Sequence, residues 1–380
     1  MSTQHQGVLY GSPHSFYTAK VRCYLRKQGI AYQEKMPKDP EYTQKIVPHI
    51  GRAIIPVWVG ADGEMIQDSL DIIDHFERQG VPLSAYPKTP KQHLAALWFE
   101  YFASFCMLRP AMHYRWSYLD KQRDYLKDAN IACSGLEAAA NIMERMHSYL
   151  PGLGVIAQTL TLIEQRFVRF LELLEAHFAE HPYLLGGQPS IGDYGLIGPM
   201  YAHLARDPVP AYLIRTRAPK VFRWIERMTA SDADIPEYPD YPTHFLGGDC
   251  VPQTLEALLG FMAEEIFPEL DDKLTFIEQW TTEHRPVDGQ LVNAKAHQRY
   301  IGIVQTKLHG VAIDCAVAPY MLYVLKRIDQ VLSSLTVEAE LHAANWLSSL
   351  GLTYGFNKKC GYSVRREKHR EVWEHVQRTA

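Results

Sequence analysis

The chain has 380 residues, with 39 Lys and Arg against 43 Asp and Glu and a formal net charge of -4. This balance lacks the basic excess of a nucleic-acid-binding protein, and 47% hydrophobic with 22% charged residues excludes general disorder. No run of roughly 18 or more apolar residues is present, so we predict no membrane-spanning helix and no membrane or nucleic-acid partner.

Residues 7–80 have the pattern of a compact unit in which short strands and helices alternate. Glycine ends both of the long predicted helices, and Asp62-Gly63 is a strong hairpin turn. In chain order, we predict a strand at 8–10, a helix over 15–28, a strand near 31–35, a helix around 40–46, a strand over 54–59, a short strand at 64–66, and a helix that Ser69 caps and Gly80 ends. This order predicts an α/β domain.

Pro82, Pro87 and Pro90 mark a linker, after which the spacing of apolar residues is helical. We therefore predict an all-helical bundle domain over residues 91–230. A segment rich in Pro, Gly and Asp at 231–252 marks a second domain boundary.

The remainder, residues 253–380, which we call the extension, is predicted to be mainly helical. An apolar stripe over 255–277 has helical spacing and must be covered, so we expect the extension to pack on its own helical domain. The alternating stretch 299–317 is consistent with a hairpin that turns at His309-Gly310. A basic run at 365–370 is interleaved with glutamates, which is typical of a solvated helix.

The six cysteines lie far apart without zinc-like spacing, which predicts reduced thiols in the cytoplasm and no metal site. Residues 1–13 lack the charged start and apolar stretch of a secretory signal, which agrees with a cytoplasmic location. Cys23 lies inside the first predicted helix, where we expect it to serve packing.

Four motifs in order carry a resemblance to a known family. They are the segment 9–22 (LYGSPHSFYTAKVR), Ile55-Pro56 before a strand, Gln67-Asp68-Ser69 at the start of a helix, and His181–Leu204 with its capping box. Together they resemble a serine-type glutathione S-transferase, which has a thioredoxin-like N-terminal domain followed by an all-helical domain. The resemblance covers about residues 7–230 and leaves the extension unmatched.

The resemblance implies that the protein binds glutathione as co-substrate and ionises its thiol. Ser15 lies where a turn enters a helix, and free amides at a helix start favour a negative charge. The Ser15 hydroxyl would therefore be the catalytic group that donates to the thiolate, with Ser12 and Tyr10 as alternatives. A free thiol with a pKa near 8.5 is about 3% ionised at pH 7, and lowering this pKa by about two units requires about 2.7 kcal/mol.

The resemblance also implies the residues that hold glutathione. Pro56 would be cis, which leaves the backbone of Ile55 free to pair with the cysteinyl part. Asp68 would bind the ammonium, while Ser69 and the helix amides would bind the γ-glutamyl carboxylate. Arg52 would approach the glycyl carboxylate, with an ordinary exposed loop arginine as the alternative interpretation.

The implied activity is a transferase reaction, as in detoxification, in which the glutathione thiolate attacks an apolar or aromatic electrophile. The absence of cysteine from residues 10–18 disfavours a thiol oxidoreductase. The family commonly forms homodimers through the N-terminal domain of one chain and the helical domain of the other. Two alternatives stay open: a non-catalytic ligand-binding or protein-interaction module of the same fold, and a glutathione-dependent lyase or isomerase.

Overall fold

A computed structural model describes residues 6–356 and 360–376 of the chain. The first domain contains a four-stranded sheet in the order β2-β1-β3-β4, in which β1 runs parallel to β2 and antiparallel to β3. Its strands are β1 (Gly7–Tyr10), β2 (Tyr32–Lys35), β3 (Val57–Gly60) and β4 (Met65–Gln67). Its helices are α1 (Phe16–Lys27), α2 (Val47–Ile50), which continues a π-helical turn at Tyr42–Ile46, and α3 (Ser69–Gln79). This is the thioredoxin-like domain expected from the sequence.

The second domain is all-helical. It contains α4 (Pro90–Phe105), α5 (Leu108–Trp116), α6 (Leu119–Ser134), α7 (Leu136–His147), α8 (Leu160–His177), α9 (Ile191–Pro199), α10 (Pro208–Arg217) and α11 (Pro219–Thr229), with a π-helical turn at Met200–Leu204. The predicted capping box opens α9, because Ser190 Oγ accepts from the Asp193 amide and the Asp193 carboxylate accepts from the Ser190 amide. A Cβ at Gly195 would lie 2.3 Å from the Glu100 carboxylate, so glycine is what lets α9 approach α4 this closely.

The extension combines helices with two β-hairpins. Its elements are α12 (Gln253–His284), β5 (Gly302–Leu308), β6 (Val311–Val317), α13 (Tyr320–Ser333), α14 (Val337–Ser349), β7 (Tyr362–Glu367) and β8 (Arg370–His375). The hairpin predicted from residues 299–317 is confirmed as β5–β6, and its turn residues His309 and Gly310 have φ of 45° and 90°. No helix among the described residues has the length and apolarity needed to cross a membrane.

The prediction of a solvated helix at residues 365–370 is wrong. These residues form the β7–β8 hairpin, which turns at Lys368 and His369 with φ of 44° and 65°. Opposite charges interleaved along a chain stabilise a helix at i,i+4, but they also stabilise a hairpin when they face each other across it, as Arg366 and Glu371 do.

The extension shares a hydrophobic core with the helical domain. The α12 side chains Leu255, Leu258, Leu259 and Met262 are fully buried. Phe261 stacks on Phe170 of α8 with ring centroids 5.9 Å apart, and Phe267 contacts Trp98 of α4. The core therefore continues from one domain into the other.

Candidate functional site

A cavity of about 370 Å³ lies where the two domains and the extension meet. The first domain supplies Tyr17, Ile54, Ile55, Pro56, Gln67, Asp68 and Ser69, the helical domain supplies Tyr101, Ser104, Phe105, Leu108, Arg109, Tyr149, Gly152 and Leu153, and the extension supplies Glu269, Lys273, Arg299, Tyr300, Ala316, Ala318, Tyr320 and Met321. One pocket thus combines charged groups with six aromatic rings.

Four of the residues that the sequence analysis proposed for binding line this cavity together: Ile55, Pro56, Asp68 and Ser69. The Ile55–Pro56 peptide bond is cis, as the resemblance implies. Ser15 and Arg52 are not among the residues that line the cavity.

The turn before α3 differs from the expected one in its cap. Asp68, and not Ser69, is the N-cap: its carboxylate accepts from the Leu70 amide at 2.9 Å, and Ser69 is the first helical residue. Asp68 has φ of 103°, in the left-handed region that non-glycine residues rarely adopt. The sequence does not distinguish the two residues as the cap, because Asp and Ser are equally good capping residues and stand side by side.

The extension holds this turn from outside. The Tyr320 hydroxyl donates to the Asp68 carboxylate at 2.9 Å. Arg366 donates through Nε to the Asp71 carboxylate at 2.6 Å, and through Nη2 to the Gln67 carbonyl at 2.9 Å and side-chain oxygen at 2.7 Å. The Arg366 side chain is 5% exposed. The β7–β8 hairpin is therefore part of the wall behind the proposed glutathione site.

Arg52 is buried between the same turn and the same hairpin. Its guanidinium donates to Glu371 Oε2 at 3.1 Å, to the Gln67 side-chain oxygen at 3.2 Å and to the His369 carbonyl at 3.2 Å. The Arg52 side chain is 2% exposed. A protein carboxylate thus takes the position that the sequence analysis gave to the glycyl carboxylate, and Arg52 is not an exposed loop arginine.

The hydroxyls considered for thiol ionisation occupy different surroundings. Ser15 caps α1 and accepts from the Thr18 amide at 3.3 Å. Ser12 is buried, and its hydroxyl accepts from the His14 amide at 3.3 Å. The Tyr10 hydroxyl donates to Glu41 at 2.6 Å, and burial together with this carboxylate raises the pKa of Tyr10 to about 12.

Tyr17 is the hydroxyl of α1 that lines the cavity. Within the described part of the chain its hydroxyl has no hydrogen-bond partner. Burial raises the pKa of this hydroxyl, so it stays protonated and able to donate. Tyr17 was not predicted from the sequence, because it stands two residues after Ser15 within α1, beyond the turn and the strand end that supplied the candidates.

Cys23 is a buried residue of α1. Cys23 is 1% exposed, and burial raises the pKa of its thiol to about 12, which suits packing. Across residues 6–356 and 360–376 no group of three or more His, Cys, Asp or Glu side chains could hold a metal ion.

The ion pairs of Glu371 are expected to make the stability of the protein depend on pH in the acid range. Burial would raise the pKa of Glu371, but Arg299 and Arg52 outweigh burial and lower it to about 2 from 4.5. Because the pKa of Glu371 is lower in the folded chain than in the unfolded chain, ionised Glu371 stabilises the fold by about 3 kcal/mol at pH values above the unfolded-state pKa. This contribution is lost as the pH falls through about 2. We expect the difference in free energy of unfolding between the wild type and Glu371→Gln to shrink as the pH falls from about 5 to 2.

Urea unfolding followed by tryptophan fluorescence measures this difference, since Trp373 lies buried on β8. The matched variant Glu367→Gln removes a carboxylate that is 48% exposed on β7 of the same hairpin, and it should change stability less. A Glu371→Gln difference that does not vary with pH would contradict the prediction.

Two segments of the chain match families of known proteins. The family "Glutathione S-transferase, N-terminal domain" matches residues 9–82, and "Glutathione S-transferase, C-terminal domain" matches residues 156–227. The thioredoxin-like sheet and the helical second domain thus match the N-terminal and C-terminal domains of the glutathione S-transferase family. No curated protein matches the chain.

Solved structures similar to this chain include three from bacteria and fungi. A glutathione S-transferase from Xanthobacter autotrophicus Py2 is 20% identical, with 60% of this chain and 94% of that chain covered and a TM-score of 0.36. The beta-etherase LigF from Sphingobium sp. strain SYK-6 is 16% identical, with 60% and 96% covered and a TM-score of 0.41. A glutathione S-transferase of Ceriporiopsis subvermispora in complex with glutathione is 19% identical, with 59% and 96% covered and a TM-score of 0.41.

Proposed function

We propose that the protein is a cytoplasmic glutathione transferase that attacks an apolar or aromatic electrophile with the thiolate of glutathione. The observation that carries this proposal is the convergence of Ile55, cis Pro56, Asp68 and Ser69 on one cavity with six aromatic side chains. The first group offers backbone, carboxylate and helix-terminal donors to a peptide, and the second offers apolar walls to a second substrate.

Glutathione would bind along the edge formed by β3 and the turn before α3. The backbone of Ile55 would pair with the cysteinyl part, Asp68 with the ammonium, and Ser69 with the γ-glutamyl carboxylate. Ser69 begins α3 and lines the cavity, and a negative charge is favoured at the N-terminus of a helix.

A hydroxyl from the first turn of α1 would then hold the thiolate. Sequence analysis favours Ser15, and the lining of the cavity favours Tyr17, whose unpartnered hydroxyl is the better-supported donor. In the reaction, the thiol proton passes to solvent, the sulfur forms a bond to the electrophilic carbon, and the leaving group departs with the electron pair of its bond.

Glutathione binding is the first test. Calorimetry should detect binding to the wild type, and Asp68→Ala combined with Ser69→Ala should weaken it at least about tenfold, because two hydrogen bonds to charged groups are lost. Asp62→Ala is the matched control, since Asp62 is an exposed carboxylate of the same domain. Binding that the double variant leaves unchanged, or no binding at all, would contradict the proposal, and binding without turnover of any electrophile would indicate a ligand-binding module.

Titration of the bound thiol tests its activation. If Tyr17 donates to the thiolate, Tyr17→Phe should raise the pKa of bound glutathione by about one to two units, or about 1.4–2.7 kcal/mol. Ultraviolet absorbance of the thiolate against pH measures this shift. Tyr212→Phe, at a tyrosine that is 73% exposed, should leave it unchanged. A shift in Ser15→Ala with none in Tyr17→Phe would return the role to Ser15.

One face of α3 is not available to the interface of the proposed homodimer. The α13 side chains Tyr323 and Arg327 donate to Asp71 and Asp74 of α3 at 2.5 Å each, so the extension covers this face within the same chain. A homodimer would therefore associate through another surface. Light scattering of the purified chain tests whether it is a dimer.

A further inference from the structure

The extension contributes positive charge to the cavity. Among the described lining residues, the cations are Arg109, Lys273 and Arg299, and the carboxylates are Asp68 and Glu269. Two of the three cations, Lys273 of α12 and Arg299 before β5, belong to the extension. The cavity therefore has an excess of one positive charge.

Two of these cations, Arg109 and Lys273, share one carboxylate, that of Glu269. Glu269 accepts hydrogen bonds from both Arg109 and Lys273, and Arg109 also donates to the Leu153 carbonyl at 2.7 Å. Burial would raise the pKa of Glu269, but Arg109 and Lys273 outweigh burial and hold it well below its usual range. Glu269 is therefore ionised, and one positive charge beside the cavity stays unbalanced.

Arg299, the third cation, has hydrogen-bond donors that are not used within the described residues. Its Nη2 donates to Glu371 at 2.8 Å, and Glu371 is also shared with Arg52 and Arg366. In the described residues Nε and Nη1 of Arg299 have no partner, and the side chain is 32% exposed. Its guanidinium lies 5.0 Å from the centre of the Tyr320 ring, a distance at which a cation is attracted to the face of an aromatic ring.

The same cavity is walled by flat rings. Tyr101 and Phe105 contact each other with centroids 4.7 Å apart, and Phe105 contacts Tyr320 at 6.3 Å. Tyr149 and Tyr300 also line the cavity. Aromatic walls favour a planar, apolar ligand, while unbalanced cations beside them favour a ligand that also carries a negative charge.

We propose, resting on the function proposed above, that the second substrate is an aromatic electrophile carrying a carboxylate, which Lys273 and Arg299 bind. A carboxylate fits because its two oxygens match the planar fork of an arginine and also accept from an ammonium. In the reaction with an aryl halide, the thiolate sulfur bonds to the ring carbon and the halide leaves with the electron pair of its bond. The thiol proton goes to solvent, and the substrate carboxylate is unchanged.

A matched pair of electrophiles tests the proposal: para-chloro-meta-nitrobenzoate and its neutral methyl ester. The measured quantity is the ratio of kcat/KM for the acid to kcat/KM for the ester, because this ratio cancels effects on thiol activation. In Lys273→Gln and in Arg299→Gln the ratio should fall by about tenfold, the loss of one charge-assisted hydrogen bond. Lys307→Gln, which removes an exposed cation on β5, should leave the ratio unchanged.

The other outcomes separate the explanations. A ratio unchanged in both variants overturns the proposal, and so does a rise in the KM for glutathione at constant ratio, since the cations would then bind a carboxylate of glutathione itself. Because Arg299 also contacts Glu371, Lys273→Gln keeps the test valid if Arg299→Gln fails to fold. A wild type that binds no glutathione and turns over neither probe instead overturns the proposed function.

Discussion

Deleting residues 253–380 is expected to leave a remainder that aggregates. The α12 side chains Leu255, Leu258, Leu259 and Met262 are fully buried in the core that the extension shares with the helical domain, and burial of four such side chains contributes about 6–12 kcal/mol. This is comparable to the whole stability of a domain, about 5–15 kcal/mol. The deletion would also expose Phe170 and Trp98, which Phe261 and Phe267 cover. Size-exclusion chromatography with light scattering measures the result.

A pair of point substitutions tests the buried contact of α12 without removing a large part of the chain. Leu258→Asp places a charge where the side chain is 0% exposed, and Leu341→Asp makes the same change on α14 where the side chain is 61% exposed. We expect the first to unfold or aggregate and the second to behave as the wild type. A truncated chain that stays monodisperse and fully active would show that the extension is an independent module, and would favour the interaction-protein alternative.

Arg366→Ala is expected to weaken glutathione binding severely. The substitution leaves the Asp71 carboxylate and the oxygens of Gln67 without their buried donor, and removing one partner from a buried ion pair costs about 3–5 kcal/mol. Asp68 and Asp71 would also lose the positive charge between them, and like charges would push apart the turn that leads into α3. We expect the KM for glutathione to rise about tenfold or more.

The adjacent residue supplies the control. Arg365 lies on the same strand but pairs with Asp288 and Glu367 near the surface, so Arg365→Ala should leave the KM for glutathione close to that of the wild type. Arg366→Lys keeps the charge but cannot reach three acceptors with a planar fork, so it should restore only part of the affinity. An Arg366→Ala protein with a lower melting temperature but unchanged KM would reduce Arg366 to a purely structural role.

The parts of the fold that the sequence predicted have local signals. A glycine after a helix, the Asp62-Gly63 turn and the His309-Gly310 turn each act on neighbouring residues, and the structure has a turn or helix end at each. The position of Ile55 and Pro56 beside Asp68 and Ser69 could be predicted because the resemblance covers these motifs in order.

The parts that could not be predicted depend on contacts between distant segments. Nothing near Asp68 indicates that Tyr320, 252 residues later, donates to it. The charge pattern at 365–370 suits a helix and a hairpin equally, and burial against Gln67 and Asp71 decides between them. Ser15 and Tyr17 stand only two residues apart, but Ser15 is the N-cap of α1 with extended backbone, whereas Tyr17 is a helical residue that lines the cavity. The orientation of α1 on the sheet determines which one lines the cavity.

The contact between Arg366 and Gln67 joins residues that are synthesised at very different times. The two residues are 299 positions apart in the chain. A ribosome that adds about 5–20 residues per second makes Arg366 about 15–60 s after Gln67, a time in which N-terminal domains usually fold. If the first domain folds on the nascent chain, it does so before the arginine that contacts the turn at Asp68 has been synthesised. A polypeptide released early would lack Arg366, so the proposed glutathione site of its first domain would be without this contact.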